Sequence, residues 1–308
     1  MIEALSILSI GLILLITGSN ILVTSTENIK NYFSISGFFA SFFMIGIATS
    51  APEIFISIES ALQNNTILAL GNGIGSNISN IAIVFCISIL FIKKDSTPFT
   101  IPIKPFISMI ILTLSLFLLI YFDSYFDMYD SIILILVLLI SFYFFRSSSE
   151  GKIENIENKK NFLITLFVAA VGLLMLTYGS DLFINGASEI ALMFGVSSYV
   201  IGLTLTAIGT SLPELAANIQ SARKGHHDFI IGNIIGSCIF NIAIAVSLAG
   251  LINSTNVNVA DFTRDVLILF LSIITFYLIV KSHKNLIKTV YSIALVITYT
   301  LYIVYLLK

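Results

Sequence analysis

Long apolar runs separated by short polar stretches dominate this chain of 308 residues, and they predict membrane-spanning helices. A bilayer core requires about 20 apolar residues per spanning helix. Transmembrane strands would instead show alternating segments of about ten residues. The runs are continuous, so the pattern favours helices. Ten stretches qualify, at roughly 2–24, 36–62, 67–92, 105–122, 131–145, 162–184, 196–220, 228–252, 264–280 and 289–307.

The composition excludes a water-soluble globule. The chain is 57% hydrophobic and 10% charged, with a mean hydropathy of +1.02, whereas soluble domains carry about 25% charged residues. Both cysteines, Cys86 and Cys238, fall inside apolar segments. We expect them to be small packing residues rather than a disulfide or metal ligands. The start of the chain lacks a positively charged signal-peptide region, so we expect the first helix to be retained.

Polar motifs recur in this apolar background at one fixed displacement. Residues 71–80 read Gly-Asn-Gly-Ile-Gly-Ser-Asn-Ile-Ser-Asn, and the sequence 161 positions later reads Gly-Asn-Ile-Ile-Gly-Ser-Cys-Ile-Phe-Asn. Two further pairs obey the same displacement: 47–53 with 208–214, and 18–19 with 179–180. The chain is therefore predicted to be a duplicated unit, consisting of a first repeat at 1–145, a linker at 146–161 and a second repeat at 162–308.

Basic residues predict the orientation of the two repeats. With the N-terminus outside, every Lys and Arg except Arg264 and Lys308 falls on the cytoplasmic side, in agreement with the positive-inside rule. Both termini would then lie outside, and the linker would be cytoplasmic. Because five helices per repeat is an odd number, the repeats must be inverted relative to each other. All-helical inverted repeats with ion sites at their interface are characteristic of secondary transporters.

The second and seventh predicted segments each contain Thr-Ser-x-Pro-Glu. Proline has no amide hydrogen and suits the first turn of a helix. Each segment is therefore predicted to be a broken helix, restarting at Pro52 and Pro213 with Glu53 or Glu214 in its first turn. Carbonyls, hydroxyls and a carboxylate would meet at each break. The candidate ligands at the breaks are therefore Thr49, Ser50, Thr210 and Ser211, in addition to the two glutamates.

The third and eighth segments repeat a serine and an asparagine four residues apart. This spacing places Ser76 with Asn80, and Ser237 with Asn241, on one face of each helix. Oxygen ligands of this kind suit Ca²⁺, whose charge two carboxylates match, and they also suit Na⁺. A single serine or threonine would be explained by packing, but two intramembrane glutamates are costly to insert and indicate function. Glu59, near a segment end, is interpreted as a surface residue.

These motifs closely resemble the alpha repeats of the calcium/cation antiporter superfamily, and most closely those of the prokaryotic sodium/calcium exchangers. The matching stretches are 46–83 and 207–244. The resemblance covers the chain in segment number, orientation and repeat spacing. It implies ten helices in two inverted repeats, with helices 2 and 7 broken, and alternating access that exchanges Ca²⁺ for Na⁺.

The resemblance also implies a ligand set. Glu53 and Glu214 would bind Ca²⁺ at the centre, and the remaining ligands would serve Ca²⁺ or Na⁺ around them. The carbonyls of Gly46 and Ala207 would complete the outer Na⁺ sites. The implied set is Glu53, Glu214, Thr49, Ser50, Thr210, Ser211, Ser76, Ser237, Asn80, Asn241, Gly46 and Ala207. Some relatives, including the potassium-dependent branch, carry Asp where Asn241 stands, which weakens the case for potassium coupling here.

Two other functions remain open from the sequence. A proton-driven Ca²⁺ exchanger could use the same fold, and a cation channel could use the same ligands. An enzyme is disfavoured because no His-Asp pair or two-aspartate motif lies within the membrane segments. No cofactor, nucleic acid or obligate protein partner is indicated; the expected partners are Ca²⁺, Na⁺ and the lipid bilayer. The short linker and missing regulatory insertion suggest a prokaryotic plasma membrane.

Overall fold

The computed structural model describes residues 1–92, 99–145, 161–195, 209–282 and 285–306. Most of the predicted linker and the first part of the seventh segment, including Ala207, lie outside these ranges. The second predicted break is therefore described only from Gly209 onward.

The first half consists of helices joined by short connections. Two of them flank the break predicted at Pro52, and one π-helical segment interrupts the third predicted span. The elements are α1 Ile2–Phe33, α2 Gly37–Thr49, α3 Ala51–Leu62, α4 Thr66–Ser79, the π segment Asn80–Phe85, α5 Cys86–Ile89, α6 Ile103–Asp123 and α7 Met128–Phe145.

The second half follows the same plan within its described ranges. It also contains one π-helical segment, again after the glycine-rich helix. The elements are α8 Phe162–Met193, α9 Leu212–Lys224, α10 His227–Phe240, the π segment Asn241–Val246, α11 Ser247–Ile252, α12 Val259–Lys281 and α13 Asn285–Leu306.

Eight described spans are long and apolar enough to cross a membrane, and α2 with α3 makes a ninth if the bent pair is one span. Large apolar side chains cover much of the outer surface of these helices, as expected where lipid replaces water. The chain is therefore a helical, multi-pass membrane protein. The predicted ten spans include 196–220, of which the first thirteen residues lie outside the described ranges.

A two-stranded sheet is a small departure from the all-helical prediction. Strand β1, Tyr125–Phe126, pairs antiparallel with β2, Thr255–Asn256. The Tyr125 hydroxyl also donates a hydrogen bond to Ser254 Oγ at 2.6 Å. The sheet joins the loop before α7 to the loop before α12, so it ties the two halves together at one end of the molecule.

Helices α1 and α8 pack antiparallel at backbone contact distance. A Cβ atom built on Gly18 would lie 2.8 Å from the Gly172 carbonyl oxygen, and one on Gly179 would lie 3.0 Å from the Gly11 carbonyl oxygen. Small residues allow such close approach between membrane helices. The two glycine pairs are related by the 161-residue displacement, so the same contact is made twice.

Helices α2 and α10 form the centre of the molecule and run parallel. The Ser41 hydroxyl donates to the Phe229 carbonyl oxygen at 2.6 Å, and a Cβ on Gly236 would lie 2.8 Å from the Phe42 carbonyl oxygen. The largest apolar core surrounds this pair and includes Phe42 and Phe240. This packing places the glycine-rich helix of one half against the broken helix of the other.

Candidate ion-binding site

The first break lies where the sequence predicts it. Helix α2 ends at Thr49, α3 begins at Ala51, and the two are bent by 43°. Pro52 occupies the first turn of α3, where its missing amide hydrogen costs nothing. Glu53 lies in the same first turn and is fully buried. The N-terminal end of a helix favours negative charge, so this position suits a carboxylate.

The second break is described from Gly209 onward and has the same design. Pro213 and Glu214 lie in the first turn of α9. Because Pro213 has no amide hydrogen, the Gly209 carbonyl lacks its usual helical donor. The Ser180 hydroxyl of α8 donates to that carbonyl oxygen at 2.8 Å. Its counterpart, Ser19, instead donates to the Ile16 carbonyl oxygen in its own helix. Among the described residues, a serine of this pair therefore satisfies a carbonyl at the break only in the second half.

The two glutamates lie near each other in the interior of the protein. Both are fully buried, and their carboxyl groups are close enough to interact electrostatically. None of the four carboxylate oxygens has a hydrogen-bond partner among the described residues. A buried charge without a partner is strongly unfavourable. Two neighbouring carboxylates in this state therefore indicate a place where cations or protons are bound.

Thr49 and Ser237 are brought together from opposite halves by Asn233. Asn233 Oδ1 lies 3.2 Å from the Thr49 hydroxyl and 3.3 Å from the Ser237 hydroxyl. The Thr49 hydroxyl also lies 3.0 Å from the Ile45 carbonyl oxygen of its own helix. Asn233 Nδ2 donates to Asn218 Oδ1 at 2.9 Å, which fixes the orientation of the amide. The Ser237 hydroxyl also lies 3.4 Å from the Gly46 carbonyl oxygen. Three candidate ligand groups, those of Thr49, Ser237 and Gly46, thus share one buried network.

Two hydroxyl groups neighbour the carboxylates directly. Ser76 is buried and its hydroxyl neighbours the Glu53 carboxyl, while the Thr49 hydroxyl neighbours Glu214. Thr210 is half-buried and lines a cavity of about 80 Å³ beside Pro52 and Pro213. Several buried oxygens have no hydrogen-bond partner within the described part of the chain: those of Ser50, Ser211, Asn80 and Asn241.

Both predicted asparagines stand at the first residue of a π-helical segment. Asn80 begins one segment and Asn241 begins the other, 161 residues later. Single π-helical turns inside α-helices occur frequently at functional sites because they widen the backbone locally. Sequence reasoning placed the asparagines on the inner face but missed the π-helices. The only signal was the shared Asn-Ile-Ala-Ile that follows each serine-rich motif.

Asn72 and Asn233, which also repeat, have different partners. Asn72 Nδ2 donates to the backbone carbonyl of Glu53 at 3.3 Å. Asn233 instead bonds side chains of the site. Among the predicted ligands, the structure brings together Glu53, Glu214, Thr49, Ser76, Ser237 and the Gly46 carbonyl, with Asn233 and Asn218 behind them. Ala207 lies outside the described ranges.

A buried, oxygen-rich site with two carboxylates, placed between broken helices of a multi-pass membrane protein, defines a cation transporter. The sodium/calcium exchanger protein family matches residues 3–146 and again 164–308. The chain belongs to this family and is an antiporter for Ca²⁺ and Na⁺.

Named relatives cover most of the chain. An uncharacterized membrane protein of Methanocaldococcus jannaschii is 31% identical over 271 residues, which cover 85% of this chain and 87% of that protein. The sodium/calcium exchanger MaX1 of Methanosarcina acetivorans is 26% identical and covers 80% and 82% of the two chains.

Solved structures of the sodium-calcium exchanger NCX_Mj have the same fold. One, soaked with Na⁺ and Ca²⁺, superposes with a TM-score of 0.80 at 27% identity, covering 99% of this chain and 98% of that one. The comparisons do not favour the proton-driven alternative that the sequence left open.

Proposed function

We propose that this antiporter binds Ca²⁺ or Na⁺ at one mid-membrane site and carries them by alternating access. The observation that carries the proposal is the pair Glu53 and Glu214. Each carboxyl is fully buried, has no hydrogen-bond partner in the described ranges and lies near the other. One Ca²⁺ matches their combined charge, and so does a set of Na⁺ ions.

The charge of the pair also explains obligatory exchange. With no ion bound, two like charges would remain in a low-dielectric environment, which is unfavourable. A loaded carrier therefore crosses between its two states more readily than an empty one. Exchange is favoured over leak, and a continuously open channel is disfavoured. The same repulsion makes protons competitors for the site.

The ligand set of the proposal is the one expected from the family resemblance. The carboxylates bind Ca²⁺ at the centre, and hydroxyl, amide and backbone oxygens complete the Ca²⁺ and Na⁺ shells. Ca²⁺ is a hard cation and binds six to eight such oxygens. The proposed ligands are Glu53, Glu214, Thr49, Ser50, Thr210, Ser211, Ser76, Ser237, Asn80, Asn241, Gly46 and Ala207.

The proposed architecture is ten helices in two inverted five-helix repeats, 1–145 and 162–308. The antiparallel packing of α1 against α8 supports the inversion, because these helices correspond under the repeat and their glycine contacts occur in equivalent pairs. A two-fold axis in the membrane plane relates such helices. The site then lies on the axis, where each half contributes one broken helix.

The proposed membrane is the plasma membrane, with both termini outside and residues 146–161 in the cytoplasm. The distribution of Lys and Arg supports this orientation. A single cysteine introduced at Glu150 should react with an impermeant thiol reagent only after permeabilisation, while one at Tyr129 should react in intact cells. Native Cys86 and Cys238 are buried and give little background. Labelling of Glu150→Cys in intact cells would reverse the orientation.

Transport by purified protein in liposomes tests the function. Vesicles preloaded with Na⁺ should take up ⁴⁵Ca²⁺ from a Na⁺-free medium, whereas vesicles preloaded with choline at equal pH should not. Glu53→Gln and Glu214→Gln should each abolish this uptake, because each removes one of the two charges that Ca²⁺ needs.

Glu59→Gln is the matched control for these variants. It makes the same change in α3, six residues from Glu53, but its side chain is exposed. Its uptake should equal that of the wild type. Equal uptake into choline-loaded vesicles would overturn Na⁺ coupling, and Na⁺-driven uptake that survives both glutamine variants would overturn the assignment of the site.

A further inference from the structure

A chain of amide groups crosses from one half of the protein to the other beside the site. Asn77 Nδ2 donates to the Cys238 carbonyl oxygen at 2.9 Å. Asn241 Nδ2 then donates to Asn77 Oδ1 at 3.1 Å. Both asparagines are buried, Asn77 with 1% and Asn241 with 0% of its surface exposed. Asn77 is not among the ligands proposed above.

The direction of this chain is fixed by chemistry. A backbone carbonyl can only accept a hydrogen bond, so Asn77 must present its NH₂ group to Cys238 and its oxygen to Asn241. Asn241 must in turn present its NH₂ group to Asn77. Its oxygen is then left facing away from Asn77, buried and without a partner in the described part of the chain. This is the atom that a cation would require.

The other half lacks this support. The counterpart of Asn77 under the repeat is Cys238, whose side chain has no amide group, and the counterpart of Asn241 is Asn80. Both the nitrogen and the oxygen of the Asn80 amide have no partner among the described residues. Two equivalent asparagines thus differ, since one is held in a single orientation and the other is not held.

We propose that Asn77 is a positioning residue that aims the side-chain oxygen of Asn241 at the bound Ca²⁺. The proposal rests on the function proposed above, in which Asn241 is a ligand. Residues that orient a metal ligand typically change metal affinity by about 10- to 100-fold when they are replaced. Without Asn77, the Asn241 amide could rotate and present its NH₂ group to the ion, which repels a cation.

Equilibrium Ca²⁺ binding tests the proposal without relying on transport. Binding to purified protein in detergent, with choline replacing Na⁺, is measured by isothermal titration calorimetry for Asn77→Leu and Asn77→Ser. Leucine keeps the volume and removes both hydrogen bonds, and serine keeps a polar group but is too short to make either bond. We expect the Kd for Ca²⁺ to rise roughly tenfold in both.

A double-substitution cycle separates positioning from packing. Asn241→Ala alone should raise the Kd, and adding Asn77→Leu or Asn77→Ser to it should raise the Kd no further, because Asn77 acts through Asn241. Cys238→Ala is the matched control: it keeps the backbone carbonyl that Asn77 uses, so the Kd should be unchanged. Elution as a single symmetric peak establishes that each variant is folded.

The outcomes distinguish the two proposals. An unchanged Kd in the folded Asn77 variants, or an equal further rise in the Asn241→Ala background, would overturn the positioning role. If Ca²⁺ binding behaves as expected but Na⁺ does not drive uptake, the transport mechanism is wrong and the role of Asn77 stands. Absence of Ca²⁺ binding to the wild type would overturn both.

Discussion

The hydroxyl of Thr49 lies 3.2 Å from the side-chain oxygen of Asn233, so a residue of the second half contacts a proposed ligand of the first. The same hydroxyl lies 3.0 Å from the Ile45 carbonyl oxygen of its own helix. The reciprocal contact is absent from the described hydrogen bonds, because Asn72, the counterpart of Asn233, bonds the Glu53 backbone instead. The two asparagines occupy equivalent sequence positions but bond different groups, a side chain in one half and the backbone in the other. This difference can be measured directly.

Asn233→Ala should destabilise the protein more than Asn72→Ala. The first change leaves the buried Asn218 amide oxygen without its hydrogen-bond donor and removes an acceptor of the Ser237 hydroxyl. Each buried polar group left without a partner costs about 1–3 kcal/mol of stability. Asn72 is half-buried and makes a single hydrogen bond in the described set. Thermal unfolding in one detergent should rank the variants wild type, Asn72→Ala, Asn233→Ala; the reverse order of the two variants would contradict the network.

Gly46→Ala should impair Ca²⁺ binding through the backbone. A Cβ at this position would lie 3.2 Å from Gly236 Cα and 3.3 Å from the Ser237 nitrogen. These are backbone atoms, so α2 and α10 must separate, at a cost of about 1–3 kcal/mol for overpacking. The separation would move the Gly46 carbonyl away from Ser237. Calorimetric titration with Ca²⁺ should show a weaker Kd together with a lower melting temperature.

Gly75→Ala is the control for that prediction. No atom lies within 4 Å of a Cβ at Gly75, and alanine favours helix over glycine by about 1 kcal/mol. This variant should bind Ca²⁺ like the wild type and melt at the same or a higher temperature. If both glycine variants lose affinity equally, close packing at Gly46 is not the cause.

Ca²⁺ should stabilise the protein only when both carboxylates are present. A ligand at 100 times its Kd adds about 2.7 kcal/mol to the stability of the state that binds it. The melting temperature of the wild type and of Glu59→Gln should therefore rise with Ca²⁺, whereas that of Glu214→Gln should stay constant over the same range. A full shift in Glu214→Gln would place Ca²⁺ at some other site.

A ladder of polar contacts joins α1 to α9 on one side of the site. Gln220 Nε2 donates to Asn20 Oδ1 at 2.9 Å, Lys224 Nζ donates to Thr24 Oγ1, and His226 lies 3.6 Å from the Glu27 carboxylate. The three contacts recur at one helical face of α1. They hold its end against α9 in the conformation described.

Thr24→Val and Lys224→Met should therefore show coupled losses of stability. The double variant should lose about 0.5–1.5 kcal/mol less than the sum of the single variants, since both remove the same hydrogen bond. Denaturant unfolding monitored by tyrosine fluorescence measures the cycle. Thr17→Val, which changes an exposed threonine bonded to its own helix, serves as the control and should show no coupling with Lys224→Met. If the stability losses of Thr24→Val and Lys224→Met are strictly additive, the hydrogen bond between the two side chains does not contribute to stability.

The sequence predicted the features that depend on local chemistry. Pro52 and Pro213 lack an amide hydrogen wherever they stand, so the breaks and the first-turn glutamates could be predicted from the motif. The first break and both first-turn glutamates are confirmed, and the second break is described only from Gly209 onward. The four-residue spacing of Ser76 and Asn80 likewise predicted that both lie on one helix face, because residues four apart stack along a helix. Both residues are buried. The exposed position of Glu59 was also predicted correctly from its place near a segment end.

Features that depend on partners distant in sequence could not be predicted. The bond from Asn77 to Cys238 spans 161 residues, and nothing in the local pattern of either residue indicates it. The π-helices were missed because Asn-Ile-Ala-Ile and the residues after it are compatible with an ordinary α-helix. Ser180 was noticed as a repeated residue, but its bond to the Gly209 carbonyl requires the packing of α8 on the second break.

The two π-helical segments, Asn80–Phe85 and Asn241–Val246, also bear on how the two halves arose. They occupy equivalent positions under the 161-residue displacement, as expected if a unit that already contained the wide turn was duplicated. The difference between Asn77 and Cys238 separates the halves and therefore arose afterwards. Two copies of a single gene product cannot carry different residues at one position. Duplication of the unit was thus the step that allowed the asparagine of one half to be held by a hydrogen bond while its counterpart has no partner among the described residues.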